Sequence, residues 1–189
     1  RTQEEADEVN NNCPQFNQVT YPGDLIYEDF NKDGKITDDD RQIIGSMIPR
    51  YTYGLTLDFG WKGLGLSAQF QGVGKVDGYL YGYITQPCVQ GGTFRKEHLD
   101  RWTESTPNGK FPRLSYASEL NTKNSSYWMA DASYLRLKNL QLSYKLPQSW
   151  MKKVRLSSVM FFANATNLFT LTGYYQGYDP ETGYQSGTD

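Results

Sequence analysis

The run Tyr51-Thr52-Tyr53-Gly54-Leu55-Thr56-Leu57-Asp58-Phe59-Gly60-Trp61, followed by Lys62-Gly63 and then Leu64-Gly65-Leu66-Ser67-Ala68-Gln69-Phe70-Gln71, decides the fold. In the first arm every odd position is aromatic or aliphatic and every even position is polar or glycine. That period of two sends alternate side chains to opposite faces of a strand. The second arm repeats it with Leu64, Leu66, Ala68 and Phe70, and Lys62-Gly63 closes a tight β-hairpin between them. The first arm is close to the ~9–11 residues that a tilted barrel strand needs to cross a bilayer. Its apolar row begins with Tyr51 and Tyr53 and ends with Phe59 and Trp61, a placement that suits two interfacial aromatic girdles. Periodicity by itself fits a soluble sandwich equally well, because a row packed on a second sheet needs the same alternation.

Further along, regularity is lost from 72 to 131, apart from Tyr79, Tyr81 and Tyr83, and turn signals such as Gly91-Gly92 and Pro107-Asn108-Gly109 accumulate. It returns at Tyr134, with Leu135 and Leu137 on one face and Arg136 and Lys138 on the other. At Asn139-Leu140 the phase flips, and a bulge there keeps Leu140, Leu142 and Tyr144 on the apolar face. Pro147 to Lys153 predicts a compact turn with a helical touch at Trp150. The return strand runs from about Leu156 to Leu171, with Val159, Phe161, Ala163 and Ala165 on one side, although Met160 and Phe162 blur its sidedness. Residues 1–49 read as a long polar loop with one short helix, and 172–189 as a further loop. Long connections thus fall at one end of the strands and short ones at the other. Outer-membrane barrels have this asymmetry, and a soluble sandwich has no reason to segregate loop lengths so.

Composition sets the outer limits. The chain has 189 residues and a formal net charge of −2, with no basic run, so no nucleic-acid footprint is visible. No segment approaches the ~20 apolar residues of a membrane helix, which excludes helical spans and leaves strands open. The chain starts at Arg1 without a leader and reads as a processed or partial product. Cys13 and Cys88 lie far apart in loops; a surface disulfide and two free thiols both fit, and neither has metal-ligand spacing.

A second motif lies at Asp29-Phe30-Asn31-Lys32-Asp33-Gly34-Lys35-Ile36-Thr37-Asp38-Asp39-Asp40. Asp29, Asn31 and Asp33 supply oxygens at loop positions one, three and five, and Gly34 permits the sharp turn. The Lys35 carbonyl stands at seven and the Asp40 carboxylate at twelve. A hard cation that wants six to eight oxygens fits this spacing, so a structural calcium ion is expected. Asp at the twelfth position departs from the usual EF-hand and resembles dockerin loops. A helix departing from Thr37 as N-cap and stopping at Gly45 is expected, while Asp24 to Glu28 reads as extended. The competing reading is an Asx-type turn with a capped helix and no ion.

There is no phosphate loop, nucleophile elbow or Cys/His cluster, so no enzyme is expected. The sole histidine, His98, reads as one polar residue on a short amphipathic helix. Among loop aromatics, Tyr79 and Tyr127 together with Tyr81, Tyr83, Trp102, Trp128, Tyr174, Tyr175 and Tyr178 are candidates for stacking on sugar rings or packing on a protein partner. Loop packing is the alternative for each.

Several stretches together resemble SusC/RagA-type TonB-dependent outer-membrane transporters. They are Pro22-Gly23-Asp24 before the calcium-type loop, Pro49-Arg50-Tyr51-Thr52-Tyr53-Gly54, Phe70-Gln71-Gly72-Val73, Asp100-Arg101-Trp102-Thr103 and Pro112-Arg113-Leu114. With them go Asp131-Ala132-Ser133-Tyr134-Leu135-Arg136-Leu137-Lys138-Asn139-Leu140, Asn164-Ala165-Thr166-Asn167-Leu168-Phe169-Thr170 and Tyr178-Asp179-Pro180-Glu181. The resemblance implies an all-β fold, an antiparallel transmembrane β-barrel segment from a barrel of about 22 strands, in the Bacteroidetes outer membrane. It implies TonB-dependent uptake of glycans or peptides with a SusD-like surface lipoprotein, in contact with membrane lipid. With four clear strands, or six counting loop extensions, the chain reads as a C-terminal portion lacking the plug, the TonB-contacting segment and the last strand. The other reading is a secreted, calcium-stabilised β module that binds carbohydrate or protein.

Overall fold

The computed structural model describes residues 2–88, 92–116, 119–153, 155–174 and 177–181. Its chain divides into two compact units, Arg1–Ile44 with Leu80–Met129, and Gly45–Tyr79 with Ala130–Asp189. The first is built mainly of loops and the second around a sheet.

The sheet unit holds the strands read from the sequence. β1 (Tyr51–Trp61) and β2 (Leu64–Gly74) form the first hairpin, and β5 (Tyr134–Lys145) and β6 (Met160–Thr172) the second, in the order β1-β2-β5-β6. All neighbours are antiparallel. Two short strands, β3 (Asp77–Tyr79) and β4 (Met129–Asp131), make a separate two-stranded ribbon. β2 runs three residues past Gln71, so the long loop starts later than the alternation indicated. Lys62 (φ 47°) and Gly63 (φ 92°) are both left-handed, which is the hairpin turn whose twist matches the strands. A Cβ on Gly63 would lie 2.6 Å from the Lys145 carbonyl oxygen, to which the Lys145 amide adds a hydrogen bond onto the Gly63 carbonyl at 2.8 Å. The β5–β6 connection carries the helix α2 (Gln148–Lys153), as expected around Trp150. Leu64 opposes Tyr144, so both short turns sit at one end of the sheet, and residues 75–133 leave and return at the other.

The loop unit carries the helix α1 (Gln3–Asn12). Thr2 caps it: its hydroxyl accepts the Glu5 amide and its own amide donates to the Glu5 carboxylate. The helix expected after Thr37 is a correction. Only one turn of 3-10 helix forms, Asp38–Asp40, and Arg41 is already extended. Helices are sustained mostly by burying a face, and this one would have none, since Ile43 is 96% exposed. The interior mixes Ile36, Ile84, Leu120 and Trp128 with buried polar Gln15, Thr20, His98 and Asn121.

Candidate functional site

Register turns the alternation into two chemically distinct faces. Across the sheet, Leu57 pairs with Ala68, Ala68 with Leu140 and Leu140 with Ala165; Phe59 leads likewise to Leu66, Leu142 and Ala163. The whole row is apolar in every strand. The opposite face reads Thr56, Gln69, Asn139 and Thr166 in one row and Asp58, Ser67, Gln141 and Asn164 in the next. The expected bulge is present. Between two matched rows β2 steps from Phe70 to Gln69, β5 from Leu137 to Asn139, and β6 from Phe169 to Thr166. β5 therefore gains one residue, Lys138, which flips its phase, and β6 gains two, which does not. Register also resolves the ambiguity in β6: Met160 and Phe162 oppose Lys145 and Ser143 on the polar side.

The apolar face is exposed. Leu55, Leu57, Phe59 and Trp61 of β1, and Phe161 and Leu171 of β6, are each 53–62% accessible. Within the described residues of this unit no second sheet covers them, so the face lacks the partner a sandwich requires. Lys62 lies over the Trp61 ring and Lys75 over the Tyr51 ring, at 5.0 and 5.7 Å. Each end of β1 thus pairs an aromatic with a lysine, the combination that anchors at a membrane interface. Eleven residues at ~3.4 Å each, tilted by about 45°, span about 26 Å, the height of a barrel's outward apolar band. Glycine at 72 lets Tyr53 lie flat over the sheet and donate its hydroxyl to the Tyr134 carbonyl at 2.9 Å; a Cβ there would meet the ring at 2.5 Å.

On the polar face the two halves of one signature join. Arg136 is buried and donates to Asp179 and Glu181, each at 2.6 Å, and to the Thr170 hydroxyl at 2.8 Å; Lys138 donates to both Glu181 oxygens at 2.8 and 2.9 Å. Two cations meet two carboxylates, so the cluster is neutral. Hydrogen bonding from Arg136 holds the Asp179 carboxyl below its ordinary range.

In the loop unit three motifs distant in sequence converge on Asp24, whose side chain is fully buried. Arg113 grips it with two bonds at 2.6 and 3.1 Å, and the Asn121 amide adds a third at 2.8 Å. The Arg113 amide donates to the Gly23 carbonyl at 2.9 Å, and Trp102 packs so closely on Gly23 that a Cβ would lie 2.4 Å from its ring. Phe111 and the Asp100–Trp102 backbone exchange two hydrogen bonds, of 3.0 and 2.7 Å. Sequence reading missed this junction, and the only available signal was a buried-type Arg–Asp pair 89 residues apart.

The calcium-type loop folds on its own oxygens. Asp29 accepts the Lys32 and Gly34 amides, Asn31 the Asp33 amide and Asp33 the Lys35 amide, with Gly34 at φ 83°. Asp40, largely buried, reaches back to the Phe30 and Asn31 amides and accepts the Thr37 amide at 2.9 Å. The Thr37 amide, reinforced by those of Asn31 and Phe30, pulls its pKa down against desolvation. Burial raises the Cys13 thiol's pKa, and the charges of Asp29, Asp40 and Asp33 raise it further. Among the described residues no group of three or more His, Cys, Asp or Glu side chains has metal-cage spacing. Any ion here would depend on the Asn31 amide oxygen and the Lys35 carbonyl as well.

The loop aromatics separate by burial. Trp128 is 2% exposed and donates its indole N–H to the Asn121 carbonyl at 2.9 Å; Tyr174 is 5% exposed and packs on Gly78 and, edge to face, on Tyr178. Both serve loop packing. Trp102 is half-buried on Gly23, and Tyr81 and Tyr127 are exposed candidates at 42% and 43%. Tyr83 lies in a 3-10 turn, Gly82–Ile84, and its side chain, like Tyr175, falls outside the described residues. His98 is buried: Nδ1 accepts the Arg95 amide at 2.9 Å and Nε2 bonds the Ile84 carbonyl at 3.0 Å, which is a structural role. Cys13 and Cys88 are both free thiols.

A strand-rich antiparallel sheet with one polar face, one exposed apolar face and aromatic–lysine ends has the construction of an outer-membrane barrel wall. No family profile matches the chain. It is 31% identical to TonB-dependent receptor P3 of Formosa agariphila over 166 residues, 87% of this chain and 16% of that protein. It is also 31% identical to TonB-dependent receptor P26 of the same organism over 183 residues, 96% of this chain and 18% of that protein. Among solved structures it superposes on the RagAB peptide importer in its open-open state, with TM-score 0.63 and 29% identity over 84% of this chain and 18% of that one. A second RagAB peptide transporter structure gives TM-score 0.61 and 32% identity, covering 75% and 15%. The chain therefore spans less than a fifth of the length of these relatives. Over that span it resembles SusC/RagA-like TonB-dependent transporters in both sequence and fold.

Proposed function

We propose that this chain forms an arc of barrel wall and extracellular loops in an outer-membrane importer that takes up glycans or peptides with energy delivered through TonB. A SusD-like surface lipoprotein is its partner at the extracellular mouth. The observation that carries this reading is the register of the four strands, which presents a bilayer-high, exposed apolar face backed by a polar one. The apolar side meets lipid, and the polar side, with the neutral Arg136–Asp179–Glu181–Lys138 cluster, faces the lumen. No step of covalent chemistry is assigned to the chain. In cells, the receptor carrying this sequence is expected in the outer-membrane fraction, and its removal should abolish growth on one glycan or peptide source in a TonB-dependent way. Recovery as a detergent-free soluble protein, with growth unchanged on its removal, would falsify the reading in favour of a secreted module.

Calcium is the second part of the proposal. Asp29, Asn31, Asp33, the Lys35 carbonyl and Asp40 would hold it, and their spacing at loop positions one, three, five, seven and twelve supports the assignment. The ion would offset carboxylate repulsion and order the loop. Titration calorimetry of the folded receptor should show calcium heat that Asp33→Ala removes. An absence of heat in both proteins would sink the assignment.

A further inference from the structure

The sheet unit distributes its charge unevenly along the strands. No Asp or Glu occurs from Phe59 to Gln69 or from Ala132 to Tyr178, so the two short turns are free of carboxylates and carry Lys62, Lys145, Lys152, Lys153 and Arg155. All five are exposed, and none joins an ion pair among the described residues. The opposite end of the sheet is balanced, with Arg50, Lys75, Arg136 and Lys138 set against Asp77, Asp131, Asp179 and Glu181. A surface built only for solubility mixes both signs. The short-turn end does not.

Register sorts these cations by side. Lys145 opposes Met160 on the polar face, which also carries Asp58, the nearest carboxylate. Lys62 instead covers the ring of Trp61, which ends the apolar row and is 60% exposed. The Lys145 amide bonds the Gly63 carbonyl and so sets the two turns side by side. In the second turn α2 buries Met151 and leaves Trp150 59% exposed, and Lys152, Lys153, Arg155 and the half-exposed Leu156 follow. Two of the cations stand at strained positions: Lys62 and Arg155 have φ of 47° and 57°, a left-handed conformation that Gly or Asn adopts more readily. Uncompensated cations beside exposed aromatics match a lipid headgroup boundary, where rings enter the acyl region and cations reach phosphate. Trp61 continues the lipid-facing row, so the apolar part of the patch lies at bilayer depth, which favours lipid over an acidic protein domain. We infer that the short-turn end of this wall is a binding site for anionic phospholipid, with Lys62, Lys152, Lys153 and Arg155 on the headgroup and Trp61 and Trp150 in the acyl boundary. Such a site fixes the depth at which the wall sits in that leaflet. The inference rests on the membrane reading and adds a lipid class at one leaflet.

The test places the full receptor in nanodiscs of phosphatidylethanolamine and phosphatidylglycerol, with a photoactivatable group near the headgroup of one lipid or the other, and maps the crosslinks by mass spectrometry. At residues 59–64 and 146–158 phosphatidylglycerol should be captured about fivefold or more over phosphatidylethanolamine, the factor that one cation contributes near a negative surface. At 47–53, the other end of β1, the two lipids should be captured alike. Salt at about 1 M, which screens charges beyond roughly 3 Å, should remove the preference. So should the combined variant Lys62→Gln, Lys152→Gln, Lys153→Gln and Arg155→Gln. Equal capture of both lipids at the turns of the unaltered receptor overturns the proposal, and that outcome requires no variant to fold. A combined variant that keeps the preference overturns it as well; if that variant also loses uptake, the patch serves an acidic protein domain instead. A receptor without lipid preference that still supports TonB-dependent uptake defeats this site and leaves the import reading standing, whereas capture of neither lipid along β1 defeats the lipid-facing wall itself.

Discussion

Every residue from Tyr51 to Trp61 has a main-chain neighbour in β2, and its side chain does no more than choose a face. Around Asp24 the roles reverse: Gln15, Asp24 and Asn121 use side chains to hold the backbone, and Arg113 clamps the Asp24 carboxylate, because no ladder is available there. One region resists damage through repetition, the other depends on a few irreplaceable groups. The sheet loses little when one polar-face side chain changes. The junction loses the cation paired with a buried carboxylate when one guanidinium goes.

Three experiments on the full receptor would break or sharpen that contrast. Arg113→Ala should have the largest effect, about 3–5 kcal/mol, because it strands the buried Asp24 carboxylate. Hydrogen exchange should show it as lost protection in residues 14–44 and 100–128, with β1 to β6 unchanged; uniform loss across both regions would make the two units one cooperative body. Next, Leu57→Arg should cost about 2–4 kcal/mol of folding stability in bilayers, as a charge near the midplane of the lipid face does. Thr56→Arg, one residue away on the polar face, should cost far less. Equal costs would remove the lipid-facing assignment. The smallest effect should come from acid. Asp40 has its pKa lowered in the folded state, so its contribution is present above the ordinary carboxylate range and is lost as pH falls through the folded value. Exchange protection near Thr37 should therefore fall below about pH 4 before that of the strands, and Asp40→Asn should flatten the dependence.

The strands were legible because period two survives in a one-dimensional string: Tyr51 to Trp61 alternates without a break, and even the bulge declares itself as the phase change at Asn139-Leu140. The junction was not, because its bonds connect Asp24 to Arg113 and Asn121 across 89 and 97 residues and follow no period. Pro22-Gly23-Asp24 and Pro112-Arg113-Leu114 stand out as family-like motifs, but nothing in either says that they touch. α1 shows a third case. Thr2 and Glu5 spell a capping box, yet only Ala6 is buried, so the segment has no apolar stripe to reveal it. Asp38–Asp40 shows the converse, where a strong cap signal at Thr37 begins a helix that no packing continues.

The uneven residue counts at the bulge constrain how such a wall can change over generations. Any insertion or deletion within a strand transfers everything beyond it to the wrong side, unless it comes in twos or falls where the pleat is already broken. Lys138 is such a place. Losing it would leave Leu137 followed by Asn139 and Leu140, with uninterrupted alternation, whereas losing Leu142 would turn Ser143 and Lys145 toward lipid. Alignments of sequences descended from a common ancestor with this one should therefore show single-residue gaps at Lys138 and paired gaps near Asn167 and Leu168, with intact lengths elsewhere in β1, β2 and β5.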